Sequence, residues 1–174
     1  MENEVPSPGR VPSESDLVAL CRALNQEGAR YLVVGGFAIN HHGFIRATED
    51  IDILVDVDLE NQRRVKKALE ILPDKAIREL GDDDFRDYIV VRVSDDILVD
   101  VMTAACGIDF KEASGFIEIA NIQDVPVPFA TPELLLRMKQ TYRENDVADR
   151  IFLHRKIAEE AGGQPSTGEK PPKV

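Results

Sequence analysis

The chain has 174 residues and a formal net charge of −11, with a pI near 4.7. This length predicts one domain, large enough to be stable without a disulfide or a structural metal. The acidic charge argues against a non-specific nucleic-acid binder, which normally carries a basic surface. It still allows an enzyme that touches RNA locally through a metal and a few arginines.

The compartment is predicted from what the sequence lacks. No apolar run approaches the ~18 residues of a membrane span, and the acidic, proline-rich N-terminus has no apolar signal-peptide segment. Cys21 and Cys106 form no CxxC pair, so we expect buried free thiols in a reducing environment. A cytoplasmic protein without a membrane partner is predicted.

The domain plan follows from composition. Residues 1–14 and 162–174 are polar and rich in proline or glycine, which predicts two disordered tails. Between them we expect a core over 15–130 and a C-terminal helical segment over 131–161.

In the first half, helical apolar spacing from Leu17 to Leu24 predicts a helix with Ser13 or Ser15 as N-cap and Gly28 as its end. The next elements are predicted in the order strand, helix, strand, helix, at 30–34, 37–42, 51–57 and 65–72.

In the second half, we expect two strand pairs, at 86–94 with 97–102 and at 116–121 with 125–129. A turn at Asp95-Asp96 joins the first pair. Thr131 and Pro132 open the last helical region, with a break near Asn145. The acidic stretch 81–84 is interpreted as a solvated loop rather than a metal site. The order predicts an α/β (α+β) fold, a mixed sheet flanked by helices.

Two acids at the start of the 51–57 strand pattern suggest chemistry. Side chains two apart on a strand share a face, which puts the Cα atoms of Asp50 and Asp52 roughly 6–7 Å apart. Two such carboxylates repel each other unless they are protonated, solvated or bound to a cation. Asp100 is a third acid within an apolar strand, and it would join them if the two strands pair. Oxygen ligands without nearby Cys or His favour Mg²⁺ or Mn²⁺.

Gly35 and Gly36 end the 30–34 strand pattern and open a helix. Glycine there lets the backbone approach a phosphate with free N–H groups. A Gly-Gly turn alone is a weak signal. The combination with a short helix and an acid-apolar-acid strand is much more specific.

This pattern resembles the DNA polymerase β-like nucleotidyltransferase superfamily. Its signature is apolar-Gly-(Gly/Ser), about a dozen residues, then acid-apolar-acid. Thirteen residues separate Gly36 from Asp50 here. The string GGFAINHHGFIRATEDIDILV resembles bacterial minimal-type members, including AbiEii-like toxins of toxin–antitoxin systems. The segment ATPELLLRMKQTYRENDVADRIFL resembles their C-terminal helix, so the likeness runs from about Leu17 to Ile157.

The resemblance implies roles that are carried over by position. Asp50, Asp52 and Asp100 would bind the metals and act in catalysis, with Asp100 helping to deprotonate the acceptor hydroxyl. Nucleotide-binding positions would be Gly35, Gly36, Arg46, Thr48 and Lys139. Many members have Ser where Gly36 stands, so a hydroxyl contact to the phosphate is missing here.

Several residues have plainer interpretations. Asp50 and Asp52 could be solvated edge-strand residues, Asp100 could point to water, and Asp56 and Asp58 are interpreted as solvated. Arg46 could clamp a phosphate or pair with Glu49.

Others lie on predicted helices. His41-His42 is interpreted as a helix C-terminal pair rather than a zinc site, although one histidine could line the pocket. Met138 and Tyr142 are predicted in the core. Four charged residues are either exposed helix charges or, for Lys139 and Asp149, close to the site: Lys139, Arg143, Asp146 and Asp149.

The predicted activity is Mg²⁺-dependent transfer of a nucleoside monophosphate from an NTP such as ATP to a hydroxyl, by a two-metal mechanism. The resemblance implies a toxin-type enzyme with an antitoxin partner, acting on RNA (a tRNA end) or protein. A small-molecule acceptor is the third option. The alternatives are a catalytically silent NTP- and metal-binding protein of the same fold and a phosphohydrolase.

Overall fold

The computed structural model describes residues 9–162, so most of both predicted tails lies outside the described residues. The strands are β1 Tyr31–Val34, β2 Asp50–Val55, β3 Val90–Ser94, β4 Leu98–Met102, β5 Ala104–Ala105, β6 Ile108–Asp109, β7 Ile117–Ile122 and β8 Val125–Ala130. The helices are α1 Glu14–Gln26, α2 Gly35–His41, α3 Leu59–Leu69, α4 Asp84–Asp87, α5 Phe110–Ala113, α6 Pro132–Met138 and α7 Glu144–Gly162, with a 3₁₀ turn at Ala76–Glu79. None of these helices is both long and apolar enough to cross a membrane.

Six strands form one mixed sheet in the order β3-β4-β2-β1-β8-β7. Strand β2 is antiparallel to β1 and parallel to β4, and β8 is parallel to β1. The predicted mixed α/β fold with a C-terminal helical segment is therefore confirmed. Pairing of β2 with β4 brings Asp52 directly opposite Asp100.

Alternation along β2 separates its polar face from its apolar face. Ile51, Ile53 and Val55 point away from the two acids and are buried in the core. Helix α1 begins at a capping box formed by Ser13 and Asp16 and buries its apolar stripe against the same core. Burial of this face holds the register, because a slip of one residue would exchange acids for isoleucines.

Two predicted boundaries are wrong. The strand expected from residue 86 begins at Val90, because 84–87 form helix α4, whose Phe85 is buried in the core. The break in the last helical region lies at 139–143 rather than near Asn145. The short elements α4, α5, β5, β6 and the 3₁₀ turn were not predicted, since they are too short for a periodic pattern.

The break between α6 and α7 is held by hydrogen bonds from α7. Arg150 donates to the backbone carbonyls of Lys139 and Thr141, and the Thr141 hydroxyl donates to Asp146. These bonds satisfy carbonyls at the end of α6 and fix the direction in which Lys139 leaves the helix.

Residues 9–14 of the predicted N-terminal tail lie against the domain. The Arg10 backbone N–H donates to the Asp96 carbonyl at 2.8 Å. Its guanidinium pairs with Asp96 at 2.8 Å and with Asp16 at 2.7 Å. The Arg10 hydrogen bond lowers the pKa of the Asp16 carboxyl despite partial burial.

Asp95 closes the turn before β4 and supports a pH-dependent prediction. Its carboxylate accepts backbone N–H bonds from Asp74, Ala76 and Asp96 at 3.0, 2.9 and 2.8 Å. Burial alone would raise the pKa of Asp95, but these bonds outweigh it and lower the pKa. We expect Asp95→Ala to reduce the free energy of unfolding by about 2 kcal/mol at pH 7.

Because the pKa of Asp95 is lower in the folded than in the unfolded state, this stabilisation is present above pH ~4 and is lost as pH falls further. Urea unfolding at pH 7 and pH 3 measures it, with the fully exposed Asp82→Ala as control. An equal loss of unfolding free energy at pH 7 and pH 3 would show that the charge of the Asp95 carboxylate does not stabilise the turn.

Candidate active site

An open cleft of about 1040 Å³ lies at one end of the sheet. All eight residues predicted to bind metal or nucleotide line it: Gly35, Gly36, Arg46, Thr48, Asp50, Asp52, Asp100 and Lys139. They come from α2, β2, the loop before β2, β4 and the end of α6, so only the fold brings them together.

The three acids form one cluster on adjacent parallel strands. Carboxylate oxygens of Asp50, Asp52 and Asp100 lie within 4.8 Å of one another. Asp52 and Asp100 are buried, whereas the Asp50 side chain is 23% exposed and opens to the cleft. The alternative interpretation of Asp50 and Asp52 as solvated edge-strand residues is wrong, because β2 is an interior strand. Asp100 is buried and does not point to water.

The cluster is electrostatically strained without a metal ion. Burial, followed by the charges of Asp50 and Asp100, raises the pKa of Asp52 to about 7. Burial and the Asp100 charge also raise the pKa of Asp50. Three carboxylates so placed are unfavourable as free anions, and their hard oxygens suit Mg²⁺ or Mn²⁺. This donor set fits a divalent ion held by Asp50, Asp52 and Asp100.

Arg92 belongs to the cluster and was not predicted. It lies opposite Asp100 on β3, and its Nε and Nη2 donate to the two Asp100 oxygens at 2.8 Å each. Nη2 also donates to Asp50 at 2.9 Å. The sequence signal that points to Arg92 is an arginine inside the apolar strand pattern VVRV.

The glycine turn faces the acids. Gly35 has a φ of +65°, and a Cβ there would overlap the Asp52 carboxylate. A Cβ on Gly36 would overlap the Thr48 side chain. The Thr48 hydroxyl donates to the Asp50 carbonyl at 3.1 Å. The backbone of the turn therefore reaches the acid cluster only because two side chains are absent.

We expect Gly35→Ala to lower the free energy of unfolding by about 2–4 kcal/mol, since it adds left-handed strain and a steric overlap. Gly28→Ala is a matched control, because Gly28 has a φ of +67° and a Cβ there makes only an ordinary contact at 3.7 Å. Urea unfolding of both variants separates the two effects. Equal losses would show that the Asp52 overlap costs nothing.

Arg46 and Lys139 meet on a buried acid of α7. Arg46 donates to both oxygens of Asp149 at 2.9 and 2.8 Å, and Lys139 lies 3.2 Å from Asp149 and 3.1 Å from Asp146. The partner of Arg46 is thus Asp149 and not Glu49. Asp146 and Asp149 are buried, so their interpretation as exposed helix charges is wrong.

Other predicted residues lie outside the acid cluster. The histidine pair ends α2 as predicted. His42 donates to the Ala130 carbonyl at 2.8 Å, and His41 stacks on Phe129 and lies 3.2 Å from Glu118. Neither histidine lines the cleft.

The side chains of Asp56 and Asp58, interpreted as solvated, have structural roles. Asp56 pairs with Arg30 at 2.8 Å, and Asp58 caps α3. Asp82 in the acidic stretch 81–84 is fully exposed, as the solvated-loop interpretation expects.

Two burial predictions fail and two hold. Tyr142 is fully exposed, because the break at 139–143 turns it away from the core, whereas Met138 is buried as expected. Cys106 is exposed at the cleft, where its thiol donates to the Met138 carbonyl. Cys21 is a buried thiol, and burial raises its pKa to about 12.

Solved structures similar to this chain include proteins described as nucleotidyltransferases. A lincosamide antibiotic adenylyltransferase with lincomycin bound is 17% identical, with a TM-score of 0.56 over 84% of this chain and 98% of that one. ANT(2″)-Ia in complex with adenylyl-2″-tobramycin is 16% identical, with a TM-score of 0.55 over 84% and 90%.

A Thermotoga maritima protein described as a candidate nucleotidyltransferase is 17% identical, with a TM-score of 0.51 over 87% and 97%. No protein-family model and no curated protein matches the chain. At these identities, the likeness shows that the chain has the nucleotidyltransferase fold.

Proposed function

We propose that this protein transfers a nucleoside monophosphate from an NTP to a hydroxyl group of a small molecule. The observation that carries the proposal is the acid cluster on β2 and β4, which directly faces the glycine turn at Gly35-Gly36. Phosphoryl transfer is mostly positioning and charge neutralisation, and this cleft combines oxygen ligands, close backbone approach and cations.

In the proposed reaction, the acceptor oxygen bonds to the α-phosphorus, the bond to the β-phosphate oxygen breaks, and pyrophosphate leaves. In this proposal Asp100 would accept the hydroxyl proton or orient that hydroxyl. Divalent ions held by Asp50, Asp52 and Asp100 would supply the positive charge that activates the hydroxyl and neutralises the leaving group. Binding of two such ions is part of this proposal.

The remaining cleft residues would hold the nucleotide. Gly35 and Gly36 leave room for phosphate oxygens beside the backbone. The Thr48 hydroxyl lies next to the space in front of Gly36, so we assign it the phosphate contact that a serine at position 36 would otherwise make. Arg46 and Lys139, oriented by Asp149, would face the triphosphate.

The ion pairs of the basic residues in the cleft favour a small hydroxylated acceptor over RNA. Three of the four Arg or Lys side chains that line the cleft are already paired with buried or half-buried acids, namely Arg46, Arg92 and Lys139. Within residues 9–162, only Arg143 of this set has no ion pair. RNA binding needs cations free to neutralise phosphates, whereas two structural neighbours carry lincomycin or an adenylylated tobramycin.

The test incubates the protein with Mg²⁺ and each α-phosphate-labelled NTP. The acceptors are lincosamides, aminoglycosides, total RNA and soluble protein, and the Asp50→Asn/Asp52→Asn double variant is the control. Label that appears on a small molecule with the wild type, but not with the double variant, supports the proposal. Label on RNA or protein would instead favour the toxin-type activity that the AbiEii-like resemblance implies, with its antitoxin partner.

Two outcomes overturn the transferase proposal. Release of phosphate or pyrophosphate without a labelled acceptor indicates a phosphohydrolase. Metal-dependent NTP binding without any turnover indicates a catalytically silent binding protein of the same fold.

A further inference from the structure

Arg92 is a cation already bound where the acid cluster would hold a metal. Its guanidinium contacts both oxygens of Asp100 and one oxygen of Asp50. Three of the oxygens available to a divalent ion therefore face a positive charge at 2.8–2.9 Å. An ion bound to the same oxygens would lie on the order of 5 Å from that charge.

The Arg92 side chain is also able to leave. It is 53% exposed and projects from β3, which is an edge strand of the sheet. Its ion pairs all lie within this cluster, in the part of the chain that the structure describes. Water solvates the released guanidinium, and an ion bound to Asp50 and Asp100 would replace its charge, so the buried Asp100 carboxylate would not be left unpaired.

We propose that Arg92 is an internal counter-ion of the active site, which neutralises Asp50 and Asp100 in the metal-free protein and competes with divalent metal for their oxygens. The inference rests on the proposed function only in taking the acid cluster as the metal site. Arg92 thereby stabilises the metal-free protein and weakens metal binding. The cleft therefore binds its full complement of metal only when metal is abundant or enters together with a nucleotide.

A purely structural role of Arg92 predicts the opposite change in metal affinity when Arg92 is removed. If Arg92 only held Asp100 in place, its removal would loosen a ligand and weaken metal binding. If Arg92 competes, its removal spares a divalent ion either the repulsion of a positive charge at ~5 Å or the cost of displacing that charge. The repulsion alone corresponds to metal binding about tenfold tighter, even at a water-like dielectric constant.

The experiment titrates Mn²⁺ into the nucleotide-free full chain and follows free Mn²⁺ by electron paramagnetic resonance. We expect Arg92→Leu to bind Mn²⁺ about tenfold more tightly than wild type, and Arg92→Lys to stay within about threefold of it. Arg78→Leu is the matched control, since it removes the same charge where Arg78 pairs with Glu70 away from the cleft. Arg92→Gln serves if the leucine variant does not fold.

Unchanged or weaker Mn²⁺ binding by Arg92→Leu overturns the counter-ion proposal alone, provided that wild type binds. If neither wild type nor any Arg92 variant binds Mn²⁺, the acid cluster is not a metal site and the proposed function fails with it. A thermal melt adds a second readout. Without metal, Arg92→Leu is expected to melt lower than wild type, and saturating Mn²⁺ is expected to raise its melting temperature by more.

Discussion

Replacing Asp52 by asparagine is expected to lower the rate of nucleotidyl transfer by at least about 1000-fold, because the variant loses a charge that stabilises the transition state. Asparagine keeps the size of Asp52 but offers one neutral oxygen in place of an anionic pair. Because Asp52 is buried beside Asp50 and Asp100, nothing else in the cluster can take over its charge.

The same substitution is expected to leave the free energy of unfolding unchanged or higher in metal-free buffer. The Asp52 carboxylate is buried and repelled by two neighbouring acids, so a neutral side chain relieves an unfavourable interaction. Lost activity together with retained stability is typical of a functional residue rather than a structural one.

The matched control for Asp52→Asn is Asp56→Asn. Asp56 follows β2 directly, but it pairs with Arg30 away from the cleft. Transfer rates with the labelled NTP and urea unfolding curves are measured for both variants. Transfer by Asp52→Asn within tenfold of wild type would contradict the assignment of Asp52 to the metal site.

Replacing Asp149 by alanine is expected to destabilise the protein by about 3–5 kcal/mol, the largest stability effect that we predict. Asp149 is fully buried and accepts hydrogen bonds from Arg46 while lying 3.2 Å from Lys139. Its removal leaves two largely buried cations, of which Lys139 keeps its ion pair with Asp146 while Arg46 loses its carboxylate partner. The nucleotide KM is also expected to rise, because both cations lose the acid that orients them.

Thermal and urea unfolding measure the stability of Asp149→Ala, and Glu159→Ala controls for a charge loss on the exposed face of α7. The double variant Arg46→Met/Asp149→Leu should recover part of the stability, since it removes an ion pair rather than one partner. A loss below about 1 kcal/mol for Asp149→Ala would show that water reaches Arg46 and Lys139 and solvates them.

The order of the main elements was predictable because each depends on a local pattern. Helical spacing gave α1 and α3, short apolar runs gave β1, β2 and β4, and a Gly-Gly turn before an acid-apolar-acid strand indicated where chemistry would occur. Thr131 and Pro132 marked the start of α6 correctly. These signals depend on residues within one or two turns of each other.

The contact between Arg92 and Asp100 was not predictable from the local sequence pattern. The predicted turn at Asp95-Asp96 pairs Ser94 with Ile97 and therefore Arg92 with Val99, whereas in the structure Ser94 pairs with Leu98 and Arg92 with Asp100. One extra residue in the turn shifts the register by one and brings Arg92 to the face of Asp100, and the sequence pattern did not indicate that shift.

The sequence by itself determined the α/β class, the glycine turn and the acids that face one side of β2. Only the tertiary structure decided that β4 lies beside β2, that Asp149 of α7 is buried between Arg46 and Lys139, and that Tyr142 and Cys106 are exposed. Periodicity reports which face of an element is apolar. It does not report which distant element covers that face, because that choice depends on packing and charge pairing between residues up to a hundred positions apart.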